Sequence, residues 1–304
     1  MTVIIAFLAN VLVALAKTIA AAMTSSASMV AEAAHSWADA GNEIFLLVAD
    51  RRGSRPKDEG HPLGFGRRAF VWSLVAAFGI FTAGAIVSIM HGIQELSSDE
   101  PVESPVVAYA VLGISFVLEG ISFVQAFRRS RRLARERKAS TWDFVLKTSD
   151  TTLRAVFFED GAALVGLLIA GGSIALHQLT GAAVWDAVGS ILVGVLLGVV
   201  AILLIGRNMA FLVGTTISPE ERRRVGTALL GLPEIERVTY LHMEYVGPNR
   251  LFIVAEIDLA GDARENEAAW RLREVERRIE AHEIIEKAVL SLSVADESSL
   301  DFRA

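Results

Sequence analysis

Residues 25–43 read SSASMVAEAAHSWADAGNE, and within them His35 and Asp39 stand four apart in a segment apolar enough to cross a membrane. A histidine and a carboxylate are costly in lipid, so such side chains usually face a bundle interior or an ion pathway. Their spacing puts both on one helical face, where a metal ion can take two ligands from one helix. A carboxylate at equal depth on a facing helix would turn this pair into a site for a divalent cation inside a membrane.

The composition supports a membrane setting. Of 304 residues, 53% are hydrophobic, and the mean hydropathy is +0.45. The apolar excess lies in the first two-thirds of the chain. Six stretches reach spanning length, near 2–23, 29–50, 69–95, 105–127, 150–177 and 185–206. From about residue 216 the chain is charged and reads as a soluble domain. The net charge of −6 carries little information, because acidic and basic residues are segregated. There are no cysteines, so disulfides and thiolate metal sites are excluded, and ligands must be His, Asp, Glu or Asn. The first segment lacks a basic n-region and contains Lys17, which fits a retained transmembrane helix better than a signal peptide.

The links between segments give an orientation. Arg51, Arg52, Arg55, Lys57, Arg67 and Arg68 join the second and third spans. Arg128, Arg129, Arg131, Arg132, Arg135, Arg137, Lys138 and Lys147 join the fourth and fifth. The loops around 24–28, 96–104 and 178–184 contain no Lys or Arg. Excess positive charge marks the cytoplasmic side, so both termini and the basic links are expected there. The expected location is a bacterial inner membrane. The cluster at 128–138 is a topology determinant that also suits anionic lipid.

The tail starts with a helix signal: Ser218 as N-cap, Pro219 at the first helical position and Glu221 closing a capping box. Alternating segments near 236–246 and 250–259, joined by Gly247-Pro248-Asn249, predict a hairpin. A charged amphipathic helix over about 263–281 and a strand over 287–295 complete the order α-β-β-α-β. This order predicts an α+β domain with helices on one face of an antiparallel sheet, the other face serving self-association. The expected division is a six-helix transmembrane transport domain over 1–212 and a dimerisation domain over 213–304.

Depth identifies the partners of His35 and Asp39. Asp39 lies eleven residues before Asp50, and Asp160 ten residues past Asp150, which sets them about 17 and 15 Å from the same membrane face. Glu159 is one residue lower, and His35 about 6 Å, or one turn, higher than Asp39. Two carboxylates and an imidazole suit Zn²⁺, Mn²⁺ or Fe²⁺, and the neutral imidazole favours zinc over magnesium or calcium. Glu159 is a candidate fourth ligand, about 100° round the helix from Asp160, with Asn42 or water as the others. The bland alternative is that His35 and Asp39 pair only with each other as packing glue. Asn10 and Lys17 are expected to satisfy carboxylates or snorkel rather than contact the site, and Glu119 to pair with another group, Lys17 being a candidate. Glu32 and Glu43 extend the His35–Asp39 face by one turn each way.

With these residues in place, the chain resembles the cation diffusion facilitator (zinc transporter) family over nearly its whole length. The segment 25–43 looks like the family's second helix, GHPLGFGRRAF at 60–70 like its cytoplasmic His-Pro-Tyr-Gly segment with Leu63 for the aromatic, and WDAVGSILVG at 185–194 like the start of its sixth helix. HPLGFGRRAFVWSLVAAFGIF at 61–81 and the pair Glu159-Asp160 are most like the branch containing the animal mitochondrial zinc transporter. The tail resembles the family's ferredoxin-like dimerising domain. One departure matters: aligning Gly166 sets Asp160 on the last position of the family's helix-5 motif and Val156, which cannot bind metal, on the first. In the tail His242 and His282 are isolated, with Glu256 and Asp296 as possible partners.

The resemblance implies a homodimeric secondary transporter, not an enzyme, that exports Zn²⁺ in exchange for protons. No Walker motif suggests ATP hydrolysis. Histidine titrates near neutral pH and binds metal only when unprotonated, so metal and protons compete for His35. No prosthetic group is expected; the metal is the substrate. Expected partners are that ion, protons, the lipid bilayer and a second copy of the chain, with no nucleic acid. An Mn²⁺ or Fe²⁺ exporter of the same fold, or a metal-responsive membrane scaffold, are the alternatives.

Overall fold

The structure is a computed structural model that describes residues 2–97 and 104–302, without the side chains of residues 2–6 and Ile80. Most of the 96–104 loop therefore lies outside the described residues. The chain divides into two compact units, Met1–Asp50 with Val71–Met209, and Arg51–Phe70 with Ala210–Ala304.

The first unit is helical. Helix α1 (Thr2–Thr24) turns at Ser25 into α2 (Ala27–Gly53). Helix α3 (Arg67–Ala76) passes through a π-helical turn (Ala77–Phe81) into α4 (Thr82–Glu95), and α5 runs from Pro105 to Glu136. A short α6 (Thr141–Lys147), capped by Ser140, leads into α7 (Thr151–Thr180) and α8 (Val184–Val213). The basic run after residue 127, expected as a link, continues α5 as helix to Glu136. Such long polar extensions hold because Arg and Glu are good helix formers.

Five of these helical paths are long and apolar enough to cross a membrane: α1, α3–α4, α5, α7 and α8. Their surfaces agree with that reading. On α1, Leu8, Leu12, Leu15 and Ile19 recur at three- and four-residue spacing and are exposed, while Ala14, Lys17, Ala20, Ala21 and Thr24 are buried. An exposed Leu/Ile stripe opposite a face of small residues is what lipid on one side and helices on the other require. Glycines allow α4 and α8 to cross closely. A Cβ on Gly92 of α4 would stand 2.8 Å from the Ala187 carbonyl, and one on Gly194 of α8 would stand 2.9 Å from the Ala85 carbonyl. The chain is a multi-pass membrane protein. Helix α2, with 27 residues, is long enough as well but carries Glu32, His35, Asp39 and Glu43 along its length.

The second unit holds α9 (Pro219–Leu230), β1 (Ile235–Gly247), β2 (Arg250–Leu259), α10 (Glu265–Glu280) and β3 (Ile285–Leu292). The Ser218–Glu221 capping box forms, and Asn249 turns the β1–β2 hairpin with φ of 55°. Leu251, Ile253, Ala255, Ile257 and Leu259 are buried in alternation along β2 and carry the core with Val238, Val275 and Ala288. The sheet is not antiparallel throughout: β1 pairs antiparallel with β2, but β3 pairs parallel with β2. The reason is α10, whose 16 residues return the chain to the end where β2 began, as a parallel crossover demands.

Residues 51–70, read from sequence as an inter-span link, fold into this second unit. Phe70 stacks on Phe211 with ring centroids 5.1 Å apart. Arg67 meets Glu244 at 2.6 Å and Lys57 meets Glu286 at 3.0 Å. The backbone of Gly66 lies directly on the hairpin. A Cβ there would be 2.6 Å from the Val246 carbonyl and 2.8 Å from Gly247 Cα.

Candidate metal site

Helix α2 carries a file of polar side chains through the apolar unit. At 100° per residue, Glu32, His35, Asp39, Asn42 and Glu43 fall within an arc of about 100° and extend about 17 Å along the axis. Glu32, His35 and Asn42 are buried. Each finds company on a neighbouring helix or on α2 itself.

His35 Nε2 lies 3.2 Å from Asp39 Oδ2. That approach lacks hydrogen-bond geometry, and both His35 ring nitrogens and Asp39 Oδ1 are buried without a hydrogen-bond partner. Helix α1 runs antiparallel beside α2. Its Lys17 Nζ donates to Glu32 Oε2 at 2.9 Å, and two turns away its Asn10 amide donates to Glu43 Oε1 at 2.9 Å. Lys17 also donates to Glu119 of α5 at 2.9 Å. The expected Lys17–Glu119 pairing is therefore present, with Glu32 as a second carboxylate on the same ammonium.

On α7, Glu159 is buried and accepts a hydrogen bond from the Asn42 amide. Asp160 accepts one from Ser122 Oγ of α5 at 2.7 Å. Asp39 acts electrostatically on both Glu159 and Asp160. The structure thus brings His35 to Asp39 and Asn42 to Glu159, and engages Asp160 with α5. Among the described residues no three His, Asp or Glu side chains converge as a closed ligand set. Ser122 was not singled out from sequence, although it lies three residues past Glu119 on the same face of α5.

The mouth of α2 is fixed by α8. Asp186 accepts from Ser26 Oγ at 2.9 Å and from the Ser28 backbone N–H at 3.3 Å, capping α2 from outside. This gives the aspartate of WDAVG a structural role that its own helix did not reveal. In the second unit His242 stands 3.9 Å from Glu244, and Glu256 pairs across the ladder with Tyr240 rather than His242.

Unsatisfied buried oxygens and nitrogens are rare in folded proteins, and a run of them calls for an explanation. Here several of them lie along α2, on Glu32, His35, Ser36, Asp39 and Glu43. These features belong to a polytopic membrane protein that buries polar and acidic side chains between its helices. Comparison with known proteins narrows that class. Residues 3–213 match the cation efflux transmembrane domain. The chain belongs to the cation efflux family, whose members are transporters rather than enzymes.

Its relatives include the mitochondrial proton-coupled zinc antiporter of Xenopus laevis, 35% identical over 259 residues, or 85% of this chain and 46% of that protein. Metal tolerance protein C4 of Arabidopsis thaliana is 36% identical over 238 residues, 78% of this chain and 52% of that protein. An uncharacterized transporter of Methanocaldococcus jannaschii is 22% identical over 293 residues, 96% of this chain and 97% of that protein. The chain spans about half the length of the zinc antiporter and metal tolerance relatives (46% and 52%).

Proposed function

We propose that this chain is a secondary transporter that exports a divalent transition-metal cation, Zn²⁺ foremost, in exchange for protons. The observation that carries the reading is the His35–Asp39 pair, whose unpartnered nitrogens and oxygen lie in the middle of a polar file on α2. In this reading α2 is the sixth span, tolerated in lipid because its polar face is turned to α1, α5 and α7. His35, Asp39 and Asp160 are the ligands, with Glu159 as a further carboxylate and Asn42 as an outer candidate. Binding exchanges the Ser122 bond of Asp160 for the ion, and the Asn42 bond of Glu159 where that residue joins.

The rest of the architecture follows the family resemblance. Residues 1–212 form the transport domain and 213–304 a ferredoxin-like dimerisation domain that joins two copies. The half-buried outer face of β2, with Phe252 and Val254, is the surface offered for that contact. The basic residues of 51–68 and 128–138 support an orientation with both segments, and both termini, on the cytoplasmic side. Protons compete with metal at His35 because an imidazole binds metal only in its neutral form. Support for zinc comes from the frog relative, a zinc antiporter, and from the imidazole of His35.

Metal selectivity tests the assignment. His35→Asp makes the site all-oxygen, which suits Mn²⁺ better and removes a partner zinc prefers. The expected result is a zinc-to-manganese transport ratio at least about tenfold below wild type, in proteoliposomes with both ions at equal concentration. An unchanged ratio would mean that His35 does not touch the ion.

A further inference from the structure

The transport reading uses His35, Asp39 and α7 but leaves a second buried carboxylate pair unexplained. Lys17 Nζ lies 2.9 Å from Glu32 Oε2 and 2.9 Å from Glu119 Oε1, with exposures of 0%, 0% and 14%. Three helices, α1, α2 and α5, contribute one charge each. We infer that Glu32 and Glu119 form a second divalent-cation station on the path, and that the ammonium of Lys17 is its resident occupant between transport events. This rests on the transport reading above and adds a site to it.

Four observations lead there. First, one ammonium faces two carboxylates, so with both ionised the triad carries a net negative charge that a dication in place of the ammonium would balance. Second, each carboxylate keeps a buried oxygen with no partner, Glu32 Oε1 and Glu119 Oε2. A pair kept only to fasten helices would use such oxygens, since leaving them bare costs about 1–3 kcal/mol each. Third, room is reserved for the Glu32 carboxylate. Gly166 of α7 presents bare backbone to Glu32 Oε1, and a Cβ there would come within 2.5 Å of that oxygen. Fourth, the triad adjoins the first pair. Glu32 precedes His35 by three residues, about 4.5 Å along α2, and both Lys17 and Glu32 act electrostatically on the His35 ring.

The geometry suits exchange of the ammonium for an ion. Zinc–carboxylate distances are about 2.0–2.2 Å, so each carboxylate need close by less than about 1 Å from its present distance to Lys17. An ion leaving His35 and Asp39 towards Glu32 meets a carboxylate whose current partner is flexible and monovalent. Lys17 yields its place, and its return repels the ion and closes the path behind it. No bond to carbon is made or broken; one cation replaces another.

Metal content of this chain in lipid nanodiscs, measured by elemental analysis after equilibrium dialysis at a Zn²⁺ level that fills only one site of wild type, tests both sites separately. Asp39→Ala is expected to bind one ion per chain fewer than wild type, and failure of that loss would count against the transport site itself. Lys17→Met is expected to bind one ion more than wild type, and adding Glu32→Gln to Lys17→Met should remove the extra ion. A loss with Asp39→Ala but no gain with Lys17→Met would overturn the second station while leaving the first. If Lys17→Met does not fold, amine labelling of wild-type protein decides instead. Saturating Zn²⁺ should raise the labelling of Lys17 several-fold relative to the exposed Lys138, and unchanged labelling would overturn the inference.

Discussion

Alanine in place of Asp39 or Asp160 is expected to cut zinc flux by more than about a hundredfold. Loss of groups that only orient metal ligands already costs about 10- to 100-fold in affinity, so removal of a ligand should cost more. Among the described residues Asp39 is the carboxylate paired with His35, at 3.2 Å. Asp160 is the only α7 carboxylate whose described partner is a neutral hydroxyl from a third helix, Ser122, a bond it can give up at small cost. Both should therefore be available when the ion arrives. Flux into vesicles of purified protein at matched content measures the effect. Near-wild-type flux in either variant would remove that residue from the site.

The second large effect concerns stability, and it tests the placement of residues 51–70. In Gly66→Ala the added methyl would stand 2.6 Å from the Val246 carbonyl and 2.8 Å from Gly247 Cα. Neither obstacle is a flexible side-chain tip, so the segment or the hairpin must move. Overpacking of this kind costs about 1–3 kcal/mol, occasionally more. Exchange of the hairpin amides near Val246 should accelerate about 5- to 150-fold if that cost is met by detaching the segment. Gly60→Ala is the control, because its Cβ would meet only Asp58 Oδ1, at 3.5 Å. Equal exchange in the two variants would mean that Gly66 is not a packing contact.

Physical causes separate what sequence revealed from what it did not. Hydropathy located the long helices, because a lipid-facing stripe such as Leu8, Leu12, Leu15 and Ile19 must be apolar whatever it packs against. The tail was legible for another reason: its capping box and the alternation along β2 are local patterns with fixed periods. The parallel pairing of β3 was not, since strand direction depends on where α10 returns the chain. Nor was the docking of 60–70, which rests on two glycine backbones, Gly66 and Gly247, meeting across 181 residues of sequence.

In the site the same division holds. The polar face of α2 could be read from spacing alone, and Lys17 with Glu119 from the cost of burying lone charges. Their geometry could not be read that way. Equal depth marked Asp160 and Glu159 as partners for Asp39, but the hydrogen bonds to Ser122 and Asn42 depend on helix rotations that hydropathy does not specify. Asp186 shows the converse case. It sits in the first turn of α8, where its own helix gives it a reason to exist, yet its partners are Ser26 and Ser28 of another helix.

Proton-coupled zinc transport by this chain alone is the central claim, and flux in sealed proteoliposomes tests it most directly. Purified protein, with Zn²⁺ outside and a fluorescent zinc indicator inside, is to be assayed with and without an acidic interior. Zinc entry is expected to be accelerated by the outward proton gradient, to leave the interior more alkaline, and to fall to background in Asp39→Ala. Zinc entry that ignores the proton gradient would contradict the coupling, and no entry above that of protein-free vesicles would contradict the transport function.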